Sequence, residues 1–214
     1  MQRKMNAIVG LATVLAMMTG AFAVGAVDFS AAEKARLAAG KTVRQPLSQS
    51  GRDGFYAGTG YAVIDAPVEV VWRAIQDWGS YHRVYPKTVE VREVGRKGDR
   101  SLVRMQLGHE MISLVYHVDI TADESRRVLS FDLVRNKPHD IEEARGYWRL
   151  FQQKDGRTLA AYVVASRVPM GVVNLLSASM AEKIERNLLD TPGNLKKWIE
   201  GPQGNRYRDA VASR

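Results

Sequence analysis

The chain has 214 residues, of which 45% are hydrophobic and 25% are charged, and its formal net charge is +8. This length allows one ordinary globular domain with a core of its own, but not two comfortable ones. Cysteine is absent, which excludes disulfides, cysteine-rich zinc sites and catalysis by a thiol.

The first residues predict export. Arg3 and Lys4 precede an apolar run, which is followed by small-residue triplets ending at Ala23 and Ala26. This is the pattern of a cleaved signal peptide, so residues 1–26 are predicted to be removed and the mature protein to be periplasmic or secreted. The alternative is a retained N-terminal membrane anchor, because the apolar run is nearly long enough to span a bilayer.

The positive charge is spread over the chain as single residues, without a block of lysines or arginines. Loss of Arg3 and Lys4 leaves 29 basic residues (31 − 2) against 23 acidic ones, a net charge of +6. An exported protein meets little nucleic acid, so no nucleic-acid partner is predicted. Peripheral contact with an anionic membrane would suit this charge, although a solvated surface without a partner is the simpler interpretation.

A helix and a polar arm are predicted to follow the signal peptide. Ser30 and Glu33 have the spacing of a capping box, which predicts a short helix ending at Gly40. Residues 41–58 are polar and contain Gly and Ser, which is typical of a linker. Residues 27–58 are therefore interpreted as an N-terminal arm.

The main domain is predicted to begin with a strand and two short helices. Residues 59–65 are apolar and β-prone, and Pro67 suits the first turn of a helix, where its missing N–H is not needed. Three- and four-residue spacing of apolar residues continues this helix to about Asp77. The aromatic segment 78–86 is long enough for one further turn that places its rings under a sheet.

The rest of the domain changes period twice. Residues 89–166 alternate apolar and polar in six successive runs, which predicts an antiparallel meander with one apolar face. Helical spacing then runs from Val173 to Ile199 and predicts one long helix. Pro192 removes a helical hydrogen bond. We expect a kink there, because the apolar stripe stays in phase, and the alternative is a break with Thr191 as a new N-cap.

This order of elements predicts an α+β fold. A curved sheet that grips one amphipathic helix leaves room for an apolar cavity on its concave side. The domain is predicted to span residues 59–201, and residues 202–214 are predicted to form a polar tail.

Two sets of residues carry a family resemblance. They are Ile64-Asp65-Ala66-Pro67 with Val71-Trp72, Asp77, Tyr81 and Pro86, and Gly146-Tyr147-Trp148-Arg149-Leu150 with Gly156-Arg157-Thr158-Leu159 and Tyr162. In this order they resemble the START / polyketide cyclase superfamily (SRPBCC, birch-pollen-allergen-like), and within it the coenzyme-Q-binding/START-type lipid-binding branch. The resemblance implies a helix-grip fold: a curved antiparallel sheet of about seven strands around a long C-terminal helix, with two short helices after the first strand.

The resemblance also implies that the cavity holds a ligand. Apolar residues of the concave face and of the facing helix would line it; the alternative is that they form a packed core. The predicted ligand-binding residues are Met105, Leu107, Leu114, Tyr116, Phe131, Leu133, Trp148, Leu150, Tyr162, Met170, Leu176, Met180 and Ile184. Loops 136–141 and 167–172 are implied to gate the cavity, with Met170 as an apolar tip.

Signals for catalysis or metal binding are weak. His139 lies beside Asp140, Glu142 and Glu143, and a histidine among carboxylates can act as an acid or a base near neutral pH. A polar loop at the cavity mouth is the favoured interpretation. The 4 histidines of the chain have no metal-ligand spacing, and no nucleophile motif is present. No catalytic residue, metal or cofactor is therefore predicted.

The sequence thus predicts an exported protein that binds or transfers a hydrophobic small molecule such as a lipid, a sterol or a quinone. One alternative is a cyclase or aromatase that folds a reactive chain in the same cavity. Export argues against it, because such enzymes usually meet carrier-bound intermediates in the cytoplasm. The other is a ligand-dependent interaction module whose arm contacts a partner.

Overall fold

The computed structural model describes residues 28–85, 87–109 and 112–213. The predicted signal peptide therefore lies outside the described residues. The chain divides into two compact units, residues 1–32 and 33–214, and the described part of the first unit is limited to residues 28–32. Within the described ranges, no helix has the length and the apolar character needed to cross a bilayer.

The described chain is α+β. Its strands are β1 Val43–Pro46, β2 Phe55–Ile64, β3 Thr88–Lys97, β4 Arg100–His109, β5 Ile112–Asp123, β6 Val128–Leu133, β7 Glu143–Gln152 and β8 Thr158–Arg167. Its α-helices are α1 Ala31–Ala38, α2 Val68–Ala74, α3 Tyr81–Val84, α4 Met170–Val173, α5 Ala178–Leu189, α6 Thr191–Glu200 and α7 Asn205–Ala212. Single 3₁₀ turns lie at Trp78–Ser80 and Pro202–Gly204.

All strands join one antiparallel sheet in the order β1-β2-β8-β7-β6-β5-β4-β3. The predicted meander is confirmed for β3 to β8, and the two short helices follow β2 as predicted. The sheet has 8 strands, where the sequence predicts about seven. The additional strand comes from the region that the sequence assigns to a polar arm.

Part of this arm belongs to the sheet. After α1, the short strand β1 pairs with β2, with Val43 opposite Tyr61 and Pro46 opposite Gly58. β2 itself begins at Phe55, four residues before the predicted start. Only Val43 in β1 is buried, so the strand has no visible alternation. It forms because β2 presents an edge whose backbone groups need partners.

The concave face follows from the register of the central strands. Leu129 of β6 lies opposite Trp148 of β7, and Trp148 lies opposite Tyr162 of β8. Opposite residues in antiparallel strands point to the same side of the sheet, so these side chains share one face. Gly146 lies in the same face, where a Cβ atom would come within 2.1 Å of the Val163 carbonyl oxygen. The absence of a side chain there lets β7 and β8 approach closely.

The C-terminal helical segment is shorter than the sequence predicts. Val173 ends the separate turn α4, and α5 begins only after Ser177, whose hydroxyl accepts a hydrogen bond from the Met180 N–H. The residues between them are not helical. A serine with extended backbone dihedrals is a strong N-cap, and it starts a new helix here.

Pro192 marks the boundary between α5 and α6. The two helices are separated only by Asp190, whose backbone stays in the right-handed helical region, so the segment changes helix without a loop. In an unbroken helix the N–H of residue 192 would bond to the Leu188 carbonyl, but proline has no N–H. The Thr191 hydroxyl donates to that carbonyl instead, at 2.7 Å.

The helices close one end of the sheet. α5 packs on β1, β2 and β8, and α6 packs on β2 and β8. Gly60 of β2 permits this contact, since a Cβ atom there would come within 2.1 Å of the Leu189 carbonyl oxygen. Leu195 and Ile199 of α6 are completely buried, so this end of the sheet is covered by a packed core.

The predicted polar tail forms a docked helix instead. Tyr207 of α7 is buried, and its hydroxyl donates to the Asp77 carboxylate at 2.8 Å. Arg206 forms an ion pair with the same carboxylate, and the Trp198 indole donates to the Tyr207 hydroxyl at 3.0 Å. One buried aromatic and a few polar contacts hold α7, which explains why apolar spacing did not reveal it.

Candidate functional site

A cavity of about 500 Å³ lies between the concave face of the sheet and helix α5. This volume is within the range of pockets that hold small organic ligands. Most of the predicted ligand residues line it. They are Met105, Leu107, Leu114, Tyr116, Phe131, Tyr162, Leu176, Met180 and Ile184.

Four predicted residues lie elsewhere. Trp148 and Leu150 are on the concave face but are buried beneath the closed end of the cavity, at 1% and 4% exposure. Leu133 packs against the core at the end of β6, outside the lining. Met170 is 49% exposed, because α4 carries it on the outer side of the mouth. Alternation in a strand identifies a face, but it does not tell how far along the face the cavity extends.

Sequence reasoning missed further lining residues. Val118, Ile120, Leu129 and Val164 line the cavity and have the same alternation as the predicted residues, so the register would have found them. Tyr81, Tyr85, Ile141, Ala144, Val168 and Val172 also line it. These residues lie mostly in short helices and loops or at strand ends, whose orientation depends on the tertiary fold.

Burial along the strands shows where the cavity opens. In β4, Val103 and Met105 are buried, whereas Leu107 is half-buried. In β5, Val118 is buried and Leu114 is half-buried. Exposure therefore increases toward the ends of β4 and β5 where His109 pairs with Ile112. The mouth lies there, opposite the N-terminal part of α5, and α4 lies beside it.

Aromatic rings form the closed end. Tyr85 stacks on Tyr81 with ring centroids 4.6 Å apart, and Tyr162 lies 4.7 Å from Trp148 and 6.0 Å from Phe131. The Trp148 indole N–H donates to the Tyr85 hydroxyl at 2.7 Å. A buried indole needs such a partner, and this bond fixes the ring of Tyr85 against the cavity wall.

The hydroxyls at this end stay protonated. Burial away from water raises the pKa of Tyr81, Tyr85, Tyr116 and Tyr162 above the usual value for tyrosine, because the charged phenolate would be poorly solvated there. These groups can donate or accept hydrogen bonds to a ligand, but they are poor bases at neutral pH. The closed end therefore offers an aromatic wall with neutral polar atoms.

The first predicted gate, loop 136–141, is tied to β5. The Asp140 N–H donates to the Val115 carbonyl, and the Val115 N–H donates to the Asp140 carboxylate, both at 2.8 Å. The His117 ring nitrogen Nδ1 lies 3.0 Å from the Pro138 carbonyl oxygen. These bonds continue the β5 edge into the loop, so the loop forms a fixed rim.

The second predicted gate, loop 167–172, leads into a more exposed segment. Val168 and Val172 line the cavity, while Met170 and Leu175 are 49% and 70% exposed. The short helix α4 has no buried residue. Segments with few buried apolar contacts open most easily, so the mouth combines one fixed rim with one weakly held flap.

The acidic cluster next to His139 does not face the cavity. The Asp140 carboxylate is bonded to β5, and His139 Nδ1 lies 2.8 Å from the Ile141 carbonyl oxygen. Glu143 pairs with Arg145 at 2.6 Å. These groups serve the local structure of the loop, in keeping with the favoured interpretation. Within the described ranges, no group of His, Asp or Glu is arranged to hold a metal ion.

The sequence matches a family described as "Polyketide cyclase / dehydrase and lipid transport" over residues 59–200. The match covers the strands and helices that enclose the cavity. The chain belongs to this family. This membership confirms the START / polyketide cyclase (SRPBCC) resemblance read from the motifs around Asp65 and Trp148.

Solved structures of other proteins show the same fold. A protein from Thermus thermophilus is 15% identical, with a TM-score of 0.57, over 73% of this chain and 98% of that one. The Zhui aromatase/cyclase from Streptomyces sp. R1128 is 18% identical, with a TM-score of 0.53, over 69% and 97%. A STAR-related lipid transfer protein from Xanthomonas axonopodis is 12% identical, with a TM-score of 0.53, over 78% and 93%.

No curated protein matches the chain. At these identities the solved structures establish the helix-grip fold alone. The chain therefore shares a ligand-binding fold with its relatives. This family uses the fold for lipid transport or polyketide cyclisation. The choice between the two must come from its own cavity.

Proposed function

We propose that the protein is an exported carrier that binds a hydrophobic small molecule, such as a lipid, sterol or quinone, in the cavity under α5. The observation that carries this proposal is the cavity itself: about 500 Å³ of space walled by aliphatic and aromatic side chains. Filling such a space with apolar groups is favourable, because it removes them from water. A native core of this size would normally be packed instead.

The chemistry of the lining supports binding over catalysis. The described residues around the cavity include no carboxylate and no imidazole, and burial keeps the tyrosine hydroxyls protonated. A cyclase has to move protons at defined atoms of its substrate, which calls for acids and bases of suitable pKa. A carrier needs only the apolar wall and an opening.

One further observation supports transfer at a membrane, and another supports export. Met170 and Leu175 expose apolar side chains beside the mouth, where a carrier would meet a lipid surface. The basic segment and the apolar run at the N-terminus support export. Determining the first residue of the mature protein tests export: we expect Val24 or Val27, and a membrane-bound protein that keeps Met1 would contradict it.

Mass spectrometry of organic extracts from the purified protein tests binding. We expect apolar compounds at a stoichiometry near one, displaced by a fluorescent polyene probe. Ile184→Trp places a bulky ring in the cavity and should weaken probe binding at least tenfold. Glu182→Trp adds the same ring on the exposed side of α5 and should leave binding unchanged. Equal affinities for both variants, with no extracted compound, would refute the proposal.

A further inference from the structure

The charged side chains among the described cavity-lining residues are all of one sign. Among the described residues that line the cavity, the charged side chains are Lys87 and Lys183. Both are exposed, so their ammonium groups lie at the opening while the wall behind them is apolar. Polar neutral side chains of Ser166 and Asn187 also line the cavity.

Lys87 is held at the mouth by an uncommon backbone conformation. Its φ is +64°, in the left-handed region that residues other than glycine and asparagine rarely adopt. Its carbonyl oxygen accepts a hydrogen bond from the Gly108 N–H at 2.8 Å, and Gly108 is itself a lining residue. This hydrogen bond compensates the backbone strain where Lys87 meets the cavity wall. Strained residues that the surrounding structure holds in place often occur at functional sites.

Lys183 approaches from the opposite wall. It lies on α5 next to Ile184, and Asn187 follows one turn later on the same side of the helix. A lysine can lay its carbon chain along an apolar surface and keep the ammonium group in water. Lys183 therefore completes the apolar wall and also places a charge at its outer end.

Both ammonium groups are available to a ligand. None of the ion pairs found among the described residues involves Lys87 or Lys183. Glu110 lies outside the described residues. Two cations of this kind above an apolar cavity complement a molecule with an apolar body and a negative end.

We infer that Lys87 and Lys183 bind the anionic head group of an amphiphile whose apolar body fills the cavity down to Tyr162. The head group is a carboxylate or a phosphate monoester held at the mouth. This inference rests on the proposed function and narrows the ligand class: sterols and other neutral molecules bind less well than acids with a chain of the same size.

Binding of a fluorescent polyene fatty acid, cis-parinaric acid, and of its methyl ester tests the inference, because the two probes differ only in the charge of the head. We expect the acid to bind about tenfold more tightly at low salt, since two exposed ion pairs each contribute up to about fivefold. Added salt should weaken binding of the acid and leave binding of the ester unchanged. Competition by hexadecyl phosphate, hexadecanoate and hexadecanol separates the two anionic heads from the neutral one.

Variants assign the effect to the two lysines. Lys87→Gln and Lys183→Gln should each weaken binding of the acid about three- to fivefold, and the double variant should weaken it about tenfold. Binding of the ester should not change. Lys197→Gln, on an exposed position of α6 away from the cavity, is the matched control and should change neither probe. Urea unfolding of each variant verifies that the fold is intact.

The outcomes separate this inference from the proposed function. If the acid and the ester bind with equal affinity, or if Lys197→Gln weakens the acid as much as the mouth variants do, the inference is overturned and the carrier function stands. If neither probe binds the wild-type protein, both are overturned.

Discussion

At the scale of single residues, the closed end of the cavity depends on the pair formed by Trp148 and Tyr85. Trp148 is 1% exposed and lies on the concave face, as the alternation in β7 predicts. Its indole N–H bonds to the Tyr85 hydroxyl at 2.7 Å, which alternation could not show. The tryptophan is therefore both a packing residue and the support of a cavity wall.

Trp148→Ala should lower the free energy of unfolding by about 3–5 kcal/mol, because it removes a buried ring and leaves a hole below the cavity. Trp148→Phe keeps most of the packing and removes the indole N–H, so we expect a loss of about 1–2 kcal/mol. Urea unfolding followed by circular dichroism measures both. A change below about 1 kcal/mol for Trp148→Ala would show that the side chain is not part of the core.

The buried tyrosines give the protein a specific response to alkaline pH. Burial raises the pKa of Tyr81, Tyr85, Tyr116 and Tyr162 in the folded state, whereas in the unfolded chain they ionise near pH 10. Their contribution to stability is complete below pH 10 and is lost as the pH rises toward the folded-state pKa. Between these two pKa values, each tyrosine lowers the free energy of unfolding by up to about 1.4 kcal/mol per pH unit.

Absorbance at 295 nm during an alkaline titration tests this response. We expect part of the tyrosine absorbance to rise only when the protein unfolds. Far-UV circular dichroism, recorded at the same pH values, measures the unfolding. A titration in which all tyrosines ionise near pH 10 while the fold persists would mean that the closed end is accessible to water.

At the scale of elements, the junction of α5 and α6 replaces one hydrogen bond by another. Thr191 is completely buried, and its hydroxyl bonds to the Leu188 carbonyl that Pro192 cannot reach. Thr191→Val should cost about 1 kcal/mol, because it removes a partly buried hydrogen bond to the Leu188 carbonyl. Thr191→Ser keeps the hydroxyl and is the control.

A second substitution identifies the cause of that loss. Pro192→Ala restores an N–H that can donate to the Leu188 carbonyl, but it also removes a completely buried ring, so alone it should lower stability. In the Thr191→Val background the loss should be smaller, because the new N–H then replaces the missing donor. A double-mutant cycle from urea unfolding measures this coupling. Additive effects of the two substitutions would contradict the exchange of donors.

The two rims of the mouth differ in how firmly they are held. Loop 136–141 is hydrogen-bonded to β5 through Val115 and Asp140, whereas α4 buries no side chain. We expect the amide hydrogens of residues 170–177 to exchange faster with solvent than those of Val115 and Asp140. Hydrogen-exchange mass spectrometry tests this, and equal protection of both rims would place the moving part elsewhere.

Elements with a regular pattern were predictable, and elements held by single contacts were not. Alternation located the strands from β3 to β8, and apolar spacing located α2 and the C-terminal helices, because these faces bury many side chains. β1 buries only Val43, and α7 buries only Tyr207, so neither leaves a period in the sequence. The side walls of the cavity were predictable for the same reason. Its rim loops were predicted only through the family resemblance, and its depth and the lysines at its mouth depend on tertiary packing.

At the scale of the whole molecule, part of the space between the sheet and the helices is a cavity and not a packed core. The sheet and α6 form a dense core at one end, with Leu195 and Ile199 completely buried, while α5 covers a cavity of about 500 Å³ at the other. On the proposed function, the packed end supports the fold, while the other end is free to open and exchange a ligand.

The central claim is that an apolar molecule occupies this cavity, and a crystal structure with a bromine-labelled ligand tests it most directly. Hexadecanoate with bromine on its last carbon gives an anomalous signal at the end of the chain. We predict a single strong peak beside Phe131 and Tyr162, with the carboxylate near Lys87 and Lys183. A peak on the protein surface, or no bound probe at saturating concentration, would contradict the account.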